Sequence, residues 1–404
     1  MFFQYAWRNL WRNKRRTLII FFGLAVTSAV LIVTFSLITG MIRQTVRSAA
    51  DVTVGEVQIY AKDYLNYRSF YSILPYKPGI LSKFESSGIG AAARIYGYGL
   101  AASGPKSAGV LYWGINPGDE RESFDLYKML REGDFLEDWS SGSVILGDKL
   151  AKSLDVRIGS ELIAVVQAAD GSLGNELLTV TGILQPISEK IDREAAILHE
   201  KDFRELFVME SGFHEIVLNS RGKFSLDKLK ASAGAVIQDA EITTWRDVLP
   251  GLSGMINVLN IINWIYGAIL FLSAGLGMIN TILMSTFDRI KEFGVLKALG
   301  TTPSRLTANV VIEALVLCLA ASLAGAAIGI PVALHFQENG INISYFSSGY
   351  TFSGLAVSPV WKAQLGAVQI LVPLAMMWVI CSLSALYPAF LAARMDAVKA
   401  MTHV

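Results

Sequence analysis

Charged side chains are scarce in this sequence. Only 17% of its 404 residues are Asp, Glu, Lys or Arg, whereas average soluble domains contain about 25%, and 52% of the residues are hydrophobic. The formal net charge is +1, so no strong basic field is available to attract phosphates. The composition therefore predicts a membrane protein and argues against nucleic acid as a partner.

Residues that build disulfide frameworks, metal sites and catalytic centres are also few. The two cysteines, Cys318 and Cys381, both lie in apolar stretches, where we expect small apolar filler. The four histidines are scattered without metal-ligand spacing, and no GxxxxGK[ST] or HExxH motif occurs. We therefore predict no catalytic, cofactor-binding or metal residues, and we expect that the chain is not itself an enzyme.

Long stretches without charge are the main feature that is present. Three are uncharged, between Arg16 and Arg43, between Asp247 and Asp288, and between Lys362 and Arg394. A fourth, residues 306–334, contains a single acid, Glu313. Since about 20 apolar residues cross a bilayer as a helix, the pattern predicts four transmembrane helices.

The predicted layout follows from these stretches. Transmembrane helices are expected at 17–42, 255–287, 303–336 and 369–393. A large extracytoplasmic domain occupies 43–254, a cytoplasmic helix and turn 288–302, a short extracytoplasmic loop 337–368, and a cytoplasmic tail 394–404. Lys and Arg concentrate in the first 16 residues, in 288–305 and in the tail, which places both termini in the cytoplasm of a multi-pass inner-membrane protein.

The domain at 43–254 is predicted to fold as α+β, with two subdomains. Short β-branched runs such as ELIAVVQ and LLTVTGIL are typical of strands, and LGDKLAKSL and HEKDFRELF have helical spacing of apolar residues. The fold class is therefore a four-helix membrane protein with a large α+β domain between helices 1 and 2.

The first 16 residues allow two interpretations. Phe3, Trp7, Leu10 and Trp11 share one helical face, which is typical of a helix lying in the membrane interface. An ordinary positively charged flank explains the basic residues equally well. The first interpretation, an interfacial helix over 1–16, accounts better for the two tryptophans.

Small residues recur at four-residue spacing in the predicted membrane helices. Such faces let helix backbones approach closely, so we predict packing surfaces. The packing residues are Gly277, Thr281, Ala321, Gly325 and Gly329. The start of the second helix is the candidate substrate cleft, with Met255, Ile256, Leu259 and Ile262.

The stretch DRIKEFGVLKALGTTPSRL, between the second and third predicted helices, encodes a short helix with a firm stop. Gly300 suits a position with positive φ after a helix, and Thr302 and Pro303 suit the start of the next one. We favour a docking helix over an ordinary loop. For Glu313, which lies near this stretch, a paired or snorkelled structural role is favoured over a functional one.

The sequence resembles the FtsX-like permeases, the mechanotransmission class of ABC transporters, which includes macrolide-exporter and lipoprotein-releasing permeases. The similarity rests on RIKEFGVLKALGTTPSRL together with AWRNLWRNKRRTLI, WGINPGDE, VILGDKLAKSLDVRIGSEL, LTVTGIL, FHEIVL and YPAFLAARMDAVKAM. Asp396 stands where the last motif usually has proline. The layout is most similar to that of the lipoprotein-releasing permeases.

The resemblance implies partners and roles. A separate dimer of cytoplasmic ABC ATPases would bind ATP and Mg²⁺, and this chain would hold no cofactor. The ATPase-coupling residues would be Arg289, Lys291, Glu292, Gly294, Lys297, Ala298 and Gly300. Further partners would be a second copy or a homologous permease, a membrane lipid or lipoprotein, and a periplasmic chaperone or adaptor.

Two functions remain open at this point. The chain extracts or extrudes a lipoprotein or another amphiphile from the inner membrane, or it transmits ATPase strokes to an extracytoplasmic protein without transport. The turn QAADGSLGNE is short and lacks proline, unlike the longer chaperone-binding hairpin of one lipoprotein-releasing permease. This departure leaves the substrate open.

Overall fold

A computed structural model describes residues 14–75, 79–138, 141–342, 351–352, 355–356 and 360–394. The predicted interfacial helix over 1–16 lies almost entirely outside these residues, as do Asp396 and nearly all of the predicted tail. The chain divides into two units. We call residues 44–255, with 344–359, the inserted domain, and the remainder the helical unit.

The helices, in chain order, begin and end as follows. They are α1 Lys14–Ala49, α2 Tyr64–Tyr67, α3 Ile80–Glu85, α4 Pro117–Ser123, α5 Asp148–Leu154, α6 Glu189–Glu194, α7 Glu200–Leu206, α8 Leu226–Val236, α9 Trp245–Val248, α10 Pro250–Asp288, α11 Ile290–Ala298, α12 Pro303–Glu338 and α13 Ala367–Arg394. A π-helical turn, Ala50–Val54, continues α1, and a 3₁₀ turn spans Leu126–Met129.

The strands are mostly in the inserted domain. They are β1 Val57–Ala61, β2 Gly90–Ser103, β3 Lys106–Ile115, β4 Leu130–Gly133, β5 Ser143–Leu146, β6 Glu161–Gln167, β7 Leu173–Leu184, β8 Ala195–His199, β9 Glu215–Asn219, β10 Ala240–Thr244, β11 Ile341–Asn342, β12 Thr351–Phe352, β13 Leu355–Ala356 and β14 Val360–Trp361. The last four form two short antiparallel pairs, β11 with β14 and β12 with β13.

Among the residues that the structure describes, four helices are long and apolar enough to cross a membrane, judged by length and composition. They are α1 with its π-helical turn, α10, α12 and α13. The predicted spans 17–42, 255–287, 303–336 and 369–393 fall within them, and the large domain lies between the first and the second. The predicted fold class is therefore confirmed. Helices α1 and α10 extend beyond the predicted spans, and each has residues in both units.

The helical unit packs around a small apolar core. Leu31, Phe271, Met278, Cys318 and Cys381 are almost fully buried in this core. Both cysteines are free thiols in it, as expected of apolar filler. The small residues Ala314 and Ala321 of α12 and Ala385 of α13 also belong to this core, and such residues let helices approach closely.

A ten-stranded mixed sheet forms the centre of the inserted domain. Its order is β10-β1-β9-β2-β3-β8-β5-β7-β4, and β6 pairs with β2 and β7. The neighbours β3/β8 and β5/β7 are parallel, and the other pairs in this sheet are antiparallel. These strands pair into one continuous sheet. The division of the domain into two subdomains stays a prediction.

Both faces of the sheet carry apolar cores because successive side chains of a strand point to opposite sides. Tyr112 belongs to a large cluster with the stacked pair Phe203 and Phe207, whose ring centroids are 4.3 Å apart. The next residue of β3, Trp113, belongs to a second cluster with Leu126. Elements on two faces therefore hold the strands of the domain in place.

Candidate functional site

The loop helix α11 stops where the sequence encodes a stop. Gly300 has φ of +89°, as predicted, a conformation that costs glycine nothing sterically. The amide of Thr301 donates to the carbonyl of Leu296 at 3.0 Å, and the amide of Gly300 donates to that of Lys297 at 3.0 Å. Helix α12 then begins with Pro303 in its first turn. The bend between α11 and α12 is thus built from local hydrogen bonds.

One side of α11 is packed against α12 and α13. The side chain of Phe293 is buried in a cluster with Leu306 and Val310 of α12 and with Ala389 and Ala392 of α13. An aromatic side chain in such a cluster contributes more buried apolar area than an aliphatic one. The loop helix therefore packs directly against α12 and α13.

Ion pairs fix the junction between α10 and α11. Arg289 is 7% exposed and contacts Glu292 at 3.1 Å (Nε–Oε2) and Glu313 of α12 at 3.0 Å (Nη1–Oε2). Asp288 contacts Arg16 of α1 at 3.2 Å (Nη1–Oδ2). The pairing expected for Glu313 is thus observed, and ion pairs connect α1, α10 and α12 at the start of the loop helix.

The far end of α11 is held by a hydrogen bond to a helix terminus. Lys297 donates through Nζ to the carbonyl oxygen of Ala393, in the last turn of α13, at 2.9 Å. A cation near the carboxyl end of a helix is stabilised by the unpaired carbonyls and by the helix dipole. Lys297 therefore positions α11 in addition to any contact with a partner.

The predicted coupling residues divide into buried and exposed sets. Arg289 and Gly294 are buried within the helical unit, and Lys297 is partly buried. The exposed set is Lys291, Glu292, Ala298 and Gly300. Sequence reasoning missed two apolar residues on the same surface, Val295 at 48% and Leu299 at 78% exposure.

The sequence spacing of Val295 and Leu299 could have identified them as part of this surface. Lys291, Val295, Ala298 and Leu299 recur at three- and four-residue intervals, so they share a helical face. We define the exposed surface of α11 formed by Lys291, Glu292, Val295, Ala298 and Leu299 as the docking face. Val295 and Leu299 are four residues apart and both exposed, so they form one small apolar patch on this face.

The predicted packing residues of α12 meet a neighbouring helix. Ala321 is fully buried, and a Cβ on Gly325 would collide with the carbonyl oxygen of Ala25 and lie 2.6 Å from Cβ of Ser28. A Cβ on Gly329 would lie 2.9 Å from Cα of Ala29. These glycines therefore let α12 approach the backbone of α1.

The packing role predicted for Gly277 and Thr281 of α10 stays a prediction, because the face that packs within the chain is a different one. A Cβ on Gly277 would meet no described atom within 4 Å, whereas one on Gly275 would lie 2.9 Å from Ile380 of α13. Thr281 lines a small cavity of about 60 Å³ beside Arg289 and Glu313, and its hydroxyl donates to its own helix at Gly277. The face of α10 that packs within the chain is thus the one that contains Gly275. The four-residue spacing of small residues identifies a packing face, but it does not identify the helix against which that face packs.

The predicted substrate cleft lies on consecutive turns of α10. Met255, Ile256 and Leu259 are partly exposed, and Ile262 is 51% exposed. Their role stays a prediction. No group of three or more His, Cys, Asp or Glu side chains that could hold a metal ion is found within the described ranges.

Comparison with known proteins assigns the part of the chain that contains the loop helix. Residues 264–397 match the family model described as FtsX-like permease C-terminal. This region is similar to the C-terminal region of the FtsX-like permeases. It contains most of α10 and all of α11, α12 and α13. The resemblance read from the sequence is therefore confirmed.

Curated relatives are similar to parts of the chain. A protein of Methanocaldococcus jannaschii, described as an uncharacterized ABC transporter permease, is 27% identical over 236 residues, which are 55% of this chain and 56% of that protein. A macrolide export ATP-binding/permease protein MacB of an Azoarcus species is 31% identical over 97 residues, 24% of this chain and 15% of the relative. The chain thus spans about half the length of the first relative and much less of the second.

Solved structures are weakly similar to the inserted domain. The periplasmic region of MacB from Actinobacillus actinomycetemcomitans has a TM-score of 0.38 at 13% identity, covering 51% of this chain and 95% of that one. The extracellular domain of the noncanonic ABC-type transporter YknZ from Gram-positive bacteria has a TM-score of 0.33 at 12% identity, covering 47% and 99%.

Proposed function

We propose that this chain is a permease subunit of an ABC transporter and that the docking face of α11 binds a separate ATPase. The observation that carries the proposal is a short helix with exposed Val295 and Leu299 that is anchored to three membrane-length helices. Its position inside the FtsX-like permease region supports this role. ATP and Mg²⁺ would be bound by the partner, in the cytoplasm.

The anchoring gives a physical route from the docking face to the rest of the chain. A force on α11 acts on Phe293, Arg289 and Lys297, and through them on α12 and α13. Since α11 follows α10 directly, the same force acts on a continuous helix that begins at Pro250. Continuous helices are stiff rods, so α10 and α1 would carry displacement toward the inserted domain.

The decisive experiment places an acid on the docking face. Leu299→Glu puts a charge at a 78% exposed apolar position, where it should not disturb folding but should prevent burial against a partner. We expect at least a tenfold loss of ATPase stimulation when the variant is reconstituted with its cognate ATPase. Val295→Glu should act in the same direction, and Glu292→Lys and Gly300→Val should also uncouple.

A matched control comes from the inserted domain. Leu173→Glu makes the same substitution at an 82% exposed position in β7, far along the chain from α11. It should leave ATPase stimulation unchanged. Full stimulation by Leu299→Glu and Val295→Glu, with normal membrane insertion, would contradict docking at α11.

A second permease copy, or a homologous permease, is the proposed partner within the membrane. Gly277 and Ser273 lie on an exposed part of α10, flanked by the exposed side chains of Leu272 and Leu276. A Cβ on Gly277 would meet no described atom within 4 Å, so a helix of another chain can approach the backbone here. Lipid could cover the apolar flanks, but lipid gains nothing from the exposed backbone at Gly277.

Cysteine crosslinking tests this contact. In a background with Cys318→Ala and Cys381→Ala, we expect Gly277→Cys to give a disulfide-linked dimer with a membrane-soluble oxidant. Leu371→Cys, at a 62% exposed position of α13, serves as the control and should remain monomeric. Equal crosslinking at the two positions would indicate random collision and refute the α10 interface.

The proposed cargo is a lipoprotein or another membrane amphiphile, extracted from the inner membrane with both termini of the chain in the cytoplasm. Macrolide export named for a relative, and the apolar start of α10 at Ile256, Leu259 and Ile262, support an amphiphilic cargo. A periplasmic chaperone or adaptor would receive it. Proteoliposomes with the ATPase should release a labelled lipoprotein only with ATP. ATPase coupling without any release would instead support signalling to an extracytoplasmic protein.

A further inference from the structure

The inserted domain contains a cavity of about 470 Å³ that the proposed transport function does not use. Pockets of about 300–1,000 Å³ commonly hold small organic ligands. Residues of β1, β2, β3 and β9 line it, as do residues of α2, α6 and α9. The cavity therefore lies against neighbouring strands of the sheet.

Aromatic side chains form much of the cavity wall. Tyr60 and Tyr64 are stacked with centroids 5.4 Å apart, and Tyr96 and Trp113 lie 5.6 Å apart. All four line the cavity, together with Tyr98, which is 57% exposed. Such a wall offers rigid apolar area and ring faces to a flat or chain-like ligand.

The polar groups in the depth of the cavity are already compensated. Glu215 is 5% exposed and accepts hydrogen bonds from the hydroxyls of Tyr60, at 2.6 Å, and Tyr96. Burial, and next the charge of Glu215, raise the pKa of both phenols well above the ordinary value, so both remain donors. Arg94 is neutralised by Glu120 at 2.5 Å (Nε–Oε1).

Two cations at the cavity are not compensated in this way. Arg68 and Lys190 line the cavity and are exposed, and neither forms an ion pair with another residue of the described ranges. The neighbouring acid Glu189 is already bridged by Lys149 and Arg193. The positive charge of Arg68 and Lys190 is thus available to a ligand.

One buried donor also lacks a partner. Trp113 is 7% exposed, and its indole N–H has no acceptor among the described residues. A buried donor left unpaired costs about 1–3 kcal/mol, so such groups generally have a reason to be there. An acceptor atom on a bound ligand would remove this cost.

We propose that this cavity binds a small anionic amphiphile. Its apolar or aromatic body would lie against Tyr60, Tyr64 and Trp113, and its anionic group would reach Arg68 and Lys190. The aromatic wall supplies contact area for the body of the ligand. Arg68 and Lys190 favour a negatively charged group over a positively charged one. A ligand cation could pair with Glu215 only by breaking the hydrogen bonds that Glu215 accepts from Tyr60 and Tyr96.

The cavity is also lined by residues that directly follow α1 and by residues that directly precede α10. Thr53 and Val54 end the π-helical turn that continues α1, and Val248 and Leu249 immediately precede α10. Arg94 donates to the carbonyl of Thr53 as well as pairing with Glu120. A bound ligand would therefore stiffen the segments that lead into the two membrane helices, which gives the cavity a regulatory position.

Calorimetry with charged probes of one size tests the proposal. The full chain in phosphatidylcholine nanodiscs is titrated with 2-naphthalenesulfonate and, separately, with 2-naphthylmethylammonium, and the heats of empty nanodiscs are subtracted. We expect one sulfonate per chain and at least tenfold weaker binding of the ammonium. Arg68→Glu with Lys190→Glu should weaken sulfonate binding at least tenfold.

Two further variants separate binding in the cavity from binding elsewhere. Leu111→Trp fills the cavity from β3 and should abolish binding of the sulfonate, with thermal unfolding confirming that the domain is folded. Arg157→Glu reverses an exposed charge outside the cavity and should leave the affinity unchanged. Absence of sulfonate binding, ammonium binding of equal strength, or sulfonate binding insensitive to the Arg68 and Lys190 reversals would overturn the proposal. These titrations do not measure ATPase stimulation. A negative result would therefore leave intact the proposal that the docking face of α11 binds an ATPase.

Discussion

The buried pair of Arg94 and Glu120 offers a sharp test of how the inserted domain is held together. Both side chains are 1% exposed, and the guanidinium contacts the carboxylate at 2.5 Å (Nε–Oε1) and 3.1 Å (Nη2–Oε2). It also donates to the carbonyl of Thr53 and lies over the rings of Trp113 and Phe124, at 5.2 and 4.8 Å. One side chain therefore joins β2, α4 and the root of α1.

Removing the cation alone should destabilise the domain strongly. Arg94→Met keeps most of the apolar stem but leaves the Glu120 carboxylate buried without a counter-ion, which costs about 3–5 kcal/mol. For a domain of about 200 residues, 1 kcal/mol shifts the unfolding midpoint by about 2–4 °C. We therefore expect the midpoint of the inserted domain to fall by about 6–20 °C in tryptophan fluorescence scans of the full chain.

Removing both partners should restore most of this loss. In Arg94→Met with Glu120→Leu no charge is left buried, and the remaining defect is the unsatisfied carbonyl of Thr53, worth about 1–3 kcal/mol. The double variant should therefore unfold between the wild type and Arg94→Met. A double variant as unstable as the single one, or a fall of less than about 2 °C for Arg94→Met, would refute the assignment of the cost to an unpaired charge.

Three further perturbations address the bundle and the surface of the domain. Gly325→Val should force α12 from α1 and cost about 1–3 kcal/mol, seen as a lower unfolding midpoint in detergent, while Gly23→Val, which meets no described atom within 4 Å, should not. Glu313→Gln should leave the buried Arg289 without its carboxylate on α12 and loosen α11, seen as faster amide exchange in residues 290–298, whereas an unchanged rate would contradict the clamp. Burial, followed by neighbouring acids, raises the pKa of Asp119 to about 6, so the folded state binds its proton more tightly than the unfolded state does. This contribution is full below about pH 4 and is lost as the pH rises through about 6, so Asp119→Asn should stabilise the chain at pH 8 relative to wild type and not at pH 4. Equal effects at the two pH values would exclude titration of Asp119 as the cause.

The features predicted correctly from sequence are those that neighbouring residues determine. The membrane-length helices follow from charge-free stretches, since a bilayer demands about 20 consecutive apolar residues in one segment. The stop at Gly300 follows from a residue type that adopts positive φ without strain. Short β-branched runs predicted strands at β6 and β7, which is likewise a property of neighbouring residues.

Sequence periodicity was less informative where a second element decides the outcome. Four-residue spacing identified Gly325 and Gly329, which do meet α1, and equally identified Gly277, which meets nothing described. Helix α10 has small residues on two faces, and only the position of α13 selects Gly275. Likewise, Val295 and Leu299 become a docking face only because Phe293 packs toward α12 and α13.

The sequence by itself thus determined the four membrane-length helices, the presence of an α+β domain between the first two, and a loop helix with a fixed end. Only the tertiary structure decided which faces of those helices are buried, and that Thr53, Tyr96, Lys190 and Leu249 share one cavity. The physical reason is the distance along the sequence between the residues that determine each feature. Local conformation and burial in a bilayer depend on residues within a few turns, whereas a cavity depends on strands paired across almost two hundred residues of chain.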